Sequence, residues 1–162
     1  MKLFITVLLS VFYFTGFSQS VSIKDLQLLP GSWKGTLTYI DYSSGKPYKM
    51  PANIDVAQIE QTGKFIVTLF YPNEPKANGN DTFSISKNGK IFNGGNIVKL
   101  QRLKNGGIII TTEQEGEDGN DNRKAMLKHI YSIQKNSFTN RKEVRFIDEN
   151  KWMLRNEYQF RR

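Results

Sequence analysis

The sequence predicts an all-β protein, an antiparallel up-and-down barrel of about eight to ten strands. Three observations carry this. After Ser20 the hydrophobic period is almost always two, the repeat of a strand with one buried face. Turn-forming clusters interrupt that pattern roughly every ten residues. No later stretch has a convincing helical period. Consecutive antiparallel strands in this number must bury one face and hide their edges, and closing the sheet on itself does both.

The elements follow in order. Residues 23–29 read as one helical turn ahead of the sheet, with Ser22 as a cap. In the first strand, 32–42, one face reads Ser32, Lys34, Thr36, Thr38 and the other Trp33, Gly35, Leu37, Tyr39. Ser43-Ser44-Gly45-Lys46 ends it in a hairpin-type turn. A second strand at 52–60 has Ile54 and Val56 on one face, and Thr62-Gly63-Lys64 turns it into 65–71. That third run is β-branched and aromatic throughout, which suits a central strand. The longest polar connection covers 72–81 and holds Pro72, Pro75 and Gly79. A short strand at 82–86 precedes Lys87-Asn88-Gly89-Lys90, and Asn-Gly is a strong hairpin signal. Strands at 91–93, 96–103 and 107–115 follow, the last two joined through Asn105-Gly106-Gly107. After an acidic, Gly-rich loop at 116–122, strands 124–134 and 137–147 pair across Lys135-Asn136. The final run, 151–162, places Trp152, Leu154, Tyr158 and Phe160 on one face.

The chain opens with MKLFITVLLSVFYFTGFSQS. A lysine, a nearly unbroken apolar run over 3–14 and small residues at Gly16 and Ser18 form the layout of a secretory signal peptide. The apolar run is short for a membrane span, which needs about 20 residues. Residues 1–18 are therefore expected to be a signal, and 19–162 a single barrel domain, periplasmic or extracellular, of a bacterial-envelope or secreted protein. With 0 Cys, no disulfide and no lipid anchor on a cysteine can form, so the core alone must hold the fold. Net charge is +8. The basic residues are spread along the chain from Lys24 to Arg162. That dispersion favours a role in solubility over recognition of a polyanion.

Gly31-Ser32-Trp33, after a short turn and at the start of the first strand, resembles the Gly-x-Trp motif of the lipocalins and their calycin relatives. The resemblance implies that Trp33 packs across the closed base of the barrel and that Gly31 lets the chain bend and approach it. It also implies a late arginine packed over the tryptophan. Arg155 and Arg161 are the candidates considered, although strict alternation puts both on the face opposite Trp152 and Leu154. The chain departs from the lipocalin layout in ending on a strand, not a helix, and in lacking a central Thr-Asp-Tyr. It therefore resembles a relative outside the lipocalins proper. Avidin-like barrels also begin with Gly-x-Trp, but nothing in the sequence points to biotin. A haem-binding relative would need an axial histidine.

No catalytic constellation is visible. With one His and 0 Cys, Cys-His and multi-His arrangements are ruled out, and there is no Gly-x-Ser-x-Gly elbow. The oxygen-rich stretch 113–122 lacks the glycine and the later glutamate that a Ca²⁺ loop requires, so it reads as a solvated hairpin. No enzyme activity, metal or cofactor is expected. Aromatic and polar residues at inward positions instead suggest a lined cavity, with Tyr39, Tyr71, His129, Tyr131, Asn156 and Tyr158 as ligand-binding candidates. Asn156 and His129 carry most weight, because a polar group among inward apolar ones must be bonded or wet. The expected partner is a small hydrophobic or amphipathic molecule, with an anionic head group favoured by the basic surface. Nucleic acid is not expected, nor a stable membrane anchor after signal cleavage. The alternative is a filled barrel that works through its outer surface without catalysis.

Overall fold

The computed structural model describes residues 20–60 and 62–162. The signal peptide expected at 1–18 lies outside them. Ten strands form one antiparallel sheet. They are β1 (Gly31–Ile40), β2 (Pro47–Ile59), β3 (Lys64–Phe70), β4 (Gly79–Ser84) and β5 (Ile91–Phe92). The second half is β6 (Gly95–Arg102), β7 (Ile108–Asp118), β8 (Arg123–Ile133), β9 (Ser137–Phe146) and β10 (Met153–Arg161). Each strand pairs with its sequence neighbours, and β10 returns to pair with β1. The seam between β4 and β5 is held by one bridge, Ile85 to Phe92, and by the Asn93 N–H donating to Ser84 O at 2.8 Å. The result is a nearly closed up-and-down barrel, as the sequence predicts.

Because the strands alternate in direction, their connections fall at two ends. The base collects the turns after β2, β4, β6 and β8 and the end of β10. The mouth collects the turns after β1, β3, β7 and β9, while the turn after the two-residue β5 stays low in the wall beside the end of β4. Strand length makes the wall uneven: β5 has two residues, whereas β7 and β8 have eleven each.

The predicted turn before the sheet is a 3-10 turn, Ile23–Leu26. The Ser22 N–H and hydroxyl both donate to the Asp25 carboxylate at 2.8 Å, which fixes its start. The turn lies under the base and buries Leu26 and Leu29. Trp33 crosses above it, 1 % exposed, its indole N–H donating to Leu29 O at 2.9 Å.

The arginine over this tryptophan is Arg162, in place of Arg155 or Arg161. Its guanidinium lies 4.0 Å from the Trp33 ring centroid. It donates to Leu28 O at 2.6 Å, Pro30 O at 3.0 Å and Lys135 O at 2.8 Å. Gly31 has φ +124°, and a Cβ there would lie 2.9 Å from Arg162 Nη1. The Gly-x-Trp spacing thus serves two ends at once: glycine makes room for the guanidinium, and tryptophan supplies the face it covers.

Above this floor the lower barrel is filled by rings. Phe83 meets Phe92, Tyr131 and Phe138 edge-on at 6.0, 5.9 and 6.3 Å between centroids. Edge-to-face pairs suit the quadrupole of aromatic rings. Phe65, Ile108, Ile110, Ile133 and Phe160 complete the core.

The one error of phase is in β10. The ladder with β9 slips between Leu154 and Asn156, leaving Arg155 as a bulge. An extra residue shifts the strand by half a pleat repeat. Asn156, Tyr158 and Phe160 keep the inner face, as expected. Trp152, however, lies on the outer wall beneath Lys128 Nζ, 3.6 Å from its ring centroid. Leu154 stands opposite Glu143, and it is Met153 that packs on the inner cluster of Ala125, Val144 and Phe146.

Trp33→Ala should lower unfolding stability by about 3–5 kcal/mol, as large-to-small core changes do. Arg162→Ala should cost about 1–2 kcal/mol through its lost charged hydrogen bonds. Urea titration of both variants and the double variant should give a non-additive pair, since the two side chains share one contact.

Candidate functional site

The inner wall of the mouth half is built from two adjoining rows. Cross-strand register places Tyr39 beside Asn156, Asn156 beside Lys142, Lys142 beside His129, and His129 beside Thr112. The next row towards the base reads Leu37, Tyr158, Asn140, Tyr131 and Ile110. Tyr71, just past β3, joins them through its hydroxyl, 2.8 Å from that of Tyr158. All the ligand-binding candidates named from sequence therefore meet on one surface. Asn140 and Lys142 belong to it too and were missed. The signal was available, because Phe138, Val144 and Phe146 set the inward phase of β9.

These residues differ in burial. Tyr131 is 1 % exposed and lies among the core rings, while Tyr39, Tyr71, His129, Asn140, Lys142, Asn156 and Tyr158 are half-buried. Burial pushes the Tyr131 phenol up to about 12, against the Asn93 amide that donates to it at 3.3 Å. The Tyr158 phenol is also raised, first by burial and then by its bond to Tyr71. Both are neutral donors or acceptors, and neither can act as a base near neutral pH.

His129 lies flat against Tyr131, at 5.6 Å between centroids and 12° between planes. Its Nδ1 is 3.2 Å from Asn140 Oδ1, a contact that suits the tautomer protonated at Nδ1, in which Nε2 accepts. Burial lowers its pKa, the charge of Lys142 lowers it further, and the bond to Asn140 opposes them. Among the described residues the Tyr39 hydroxyl and the Asn156 amide have no side-chain partner, yet no buried side-chain polar atom is unpaired. Both groups therefore reach water from an inward position.

A second feature closes part of the mouth. Asp118, at the end of β7, has a side chain only 2 % exposed. It accepts from Lys142 Nζ at 2.9 Å, Arg155 Nε at 2.6 Å and the Tyr42 hydroxyl at 3.3 Å. Arg155 also lies 4.3 Å from the centre of the Tyr42 ring. The bulge in β10 aims Arg155 inward, where strict alternation would have sent it out. Through Tyr42 this cluster ties the turn after β1 to the far end of β7, across β8, β9 and β10.

The space between the inner walls is small and half open. A cavity of about 80 Å³ is lined by Leu69, Asp81, Phe138, Asn140, Tyr158 and neighbours. A wider groove of about 620 Å³ lies at the mouth, where Tyr42, Phe146, Met153 and Arg155 meet the turn around Asn120. Of the candidates named from sequence, only Tyr158 lines the small cavity, and none lines the groove. Among the described residues there is no group of three or more His, Cys, Asp or Glu placed to hold a metal. None of their helices is long and apolar enough to cross a membrane.

No family model matches the chain, and no curated protein matches it. Among solved structures, one described as the crystal structure of Rv2717c from M. tuberculosis superposes with a TM-score of 0.50 at 10 % identity. The match covers 88 % of this chain and 99 % of that one. At such identity the likeness bears on the barrel alone.

Two outcomes follow. His129 should titrate below its ordinary value of 6.5 when its ring protons are followed by NMR. The folded state then resists protonation more than the unfolded chain. The stability present above about pH 6.5 should fall as pH drops towards the folded value, and His129→Gln should flatten that slope. Asp118→Asn should destabilise by about 3 kcal/mol in urea titration, because it leaves two enclosed cations without their shared counter-charge.

Proposed function

We propose that the chain is an exported, calycin-like barrel that binds a small amphipathic molecule in its mouth half without catalysing a reaction. The observation that carries this reading is the pair of rows on the inner wall. Tyr39, Tyr158, His129 and two asparagines point inward yet are only half-buried, where a packed core would have excluded water. Their unspent capacity suits a ligand with a planar or apolar body and a few polar atoms. Tyr71, Tyr158 and Leu69 offer the apolar side, and His129 Nε2, Asn156 and the Tyr39 hydroxyl the polar side.

Gly31, Trp33 and Arg162 support the calycin-like assignment, since glycine, tryptophan and late arginine meet at the base as that resemblance implies. The filled lower half limits how deep a ligand can enter. Typical pockets span about 300–1,000 Å³. A ligand held in the cavity of about 80 Å³ must therefore be small or extend towards the mouth. The apolar run at 3–14, with small residues at Gly16 and Ser18, supports export to the periplasm or beyond.

A second reading rests on that same small volume: the barrel is effectively filled and works through its outer surface. Fluorescence titration with 1-anilinonaphthalene-8-sulfonate, an anionic aromatic probe, separates the two. Saturable enhancement is expected for the unmodified chain. Asn140→Phe, which fills the space beside Tyr158, should weaken it by about tenfold or more, equivalent to roughly 1.4 kcal/mol. Ile147→Ser on the outer surface should leave it unchanged. Equal binding by all three proteins would put the probe on the surface and favour the filled barrel.

A further inference from the structure

The basic residues that look dispersed in sequence are gathered in space. Each base connection carries or borders a lysine: Lys64 at the start of β3, Lys87 and Lys90 after β4, Lys104 after β6 and Lys135 after β8. Lys24 stands in the 3-10 turn that plugs this end. All six are exposed. Among the described residues none has an ion-pair partner. Lys34 and Arg161, directly opposite each other on β1 and β10, extend the patch up the outer wall.

Acidic residues are nearly missing from this end. Asp25 is already held by Arg102 at 2.6 Å, which leaves Glu60 among the described base turns and Asp55, opposite Ser32, on the adjoining outer wall. The mouth is different. Asp41, Glu74, Asp121, Asp148 and Glu149 sit in its turns, the last two paired with Arg123, and Asp118 is enclosed by two cations. The net positive charge of the chain is therefore concentrated on the closed base, far from the proposed ligand rows.

We infer that the base is a docking face for a membrane surface rich in anionic lipid. Lysines on separate hairpin tips are mobile point charges with no shared fork geometry, which suits a field of head groups better than one anion held in a fixed pose. Each adds attraction to an anionic leaflet, within the reach of a Debye length. Single-stranded nucleic acid is a poorer match, because its binding relies on aromatic platforms. The exposed aromatics Tyr42, Tyr48 and Phe70 all lie towards the mouth. A barrel docked this way would hold its mouth and inner rows towards the aqueous phase.

The test is vesicle co-sedimentation of the full chain, with neutral phosphatidylcholine vesicles and with vesicles holding phosphatidylglycerol as a minor component. A base variant combines Lys87→Gln, Lys90→Gln, Lys104→Gln and Lys135→Gln. A mouth variant of equal charge combines Lys46→Gln, Lys49→Gln, Lys76→Gln and Lys124→Gln. All these side chains are exposed, and circular dichroism checks that both variants fold. Any contribution of the apolar N-terminal run is common to all three proteins and shows on neutral vesicles. The expected result is tighter binding to anionic vesicles, weakened by salt, lost by about tenfold or more in the base variant and largely kept in the mouth variant. Equal binding to both vesicle types, or equal loss in both variants, would overturn the proposal. So would a base-dependent affinity for duplex DNA or heparin without one for anionic vesicles.

Discussion

The closure of the base by Trp33 is the constraint on which the rest of the barrel depends. Eight strands enclose a space that side chains can just fill, and diameter grows with strand number. Ten strands therefore need either large interior groups or an open cavity, and this chain uses both. At the base the indole is held from below by Leu29 O and from outside by the Arg162 guanidinium. The same guanidinium binds the carbonyls of Leu28 and Pro30 before β1 and of Lys135 after β8. One side chain near the end of the last strand thus joins the entry of the first strand to the hairpin between β8 and β9. The aromatic cluster around Phe83 and Phe138 then builds upward from a floor that cannot slide.

The mouth half follows a different logic. Its inward positions hold Asn140, Lys142, His129 and Asn156 where the base holds rings and aliphatics. Polar groups in such positions cost free energy unless they are bonded or wet. His129 and Asn140 satisfy each other in part, Asp118 draws in Lys142 and Arg155, and water reaches the rest. Apolar packing at one end supplies the stability that lets the other end remain polar and open. The β10 bulge belongs to the same division of labour. It gives up one regular step of the ladder and places a guanidinium over a carboxylate that would otherwise be enclosed with Lys142 alone.

The separation of charge gives the barrel a second polarity along the same axis. The base is hard-packed within and basic without, while the mouth is polar within and close to balanced without. An up-and-down meander produces such segregation readily, because alternate turns, far apart in sequence, are brought to the same end. Dispersal along the chain therefore says little about dispersal on the surface. Reading the charges as a diffuse aid to solubility misses that the ends after β2, β4, β6 and β8 gather lysines with few carboxylates beside them, whereas the lysines of the mouth turns stand among carboxylates.

By itself the sequence determined the elements and most of their inner faces. Period-two alternation placed Trp33, Leu37 and Tyr39 on one side of β1, and Asn-Gly and Gly-Gly pairs marked the hairpins. The same alternation made Tyr39, His129, Tyr131, Asn156 and Tyr158 inward, and these form most of the candidate site. What it could not supply was anything that depends on register between strands. Only the tertiary structure decided that Arg162 covers Trp33, that Arg155 turns inward to Asp118, and that the cavity is small. The physical reason is that alternation is local, set by each residue's own pleat. A bulge, a cross-barrel ion pair or an enclosed volume depends on which residues of distant strands stand side by side. A single extra residue at position 155 is enough to reverse the face of Trp152 and Leu154 while leaving the hydrophobic pattern unchanged.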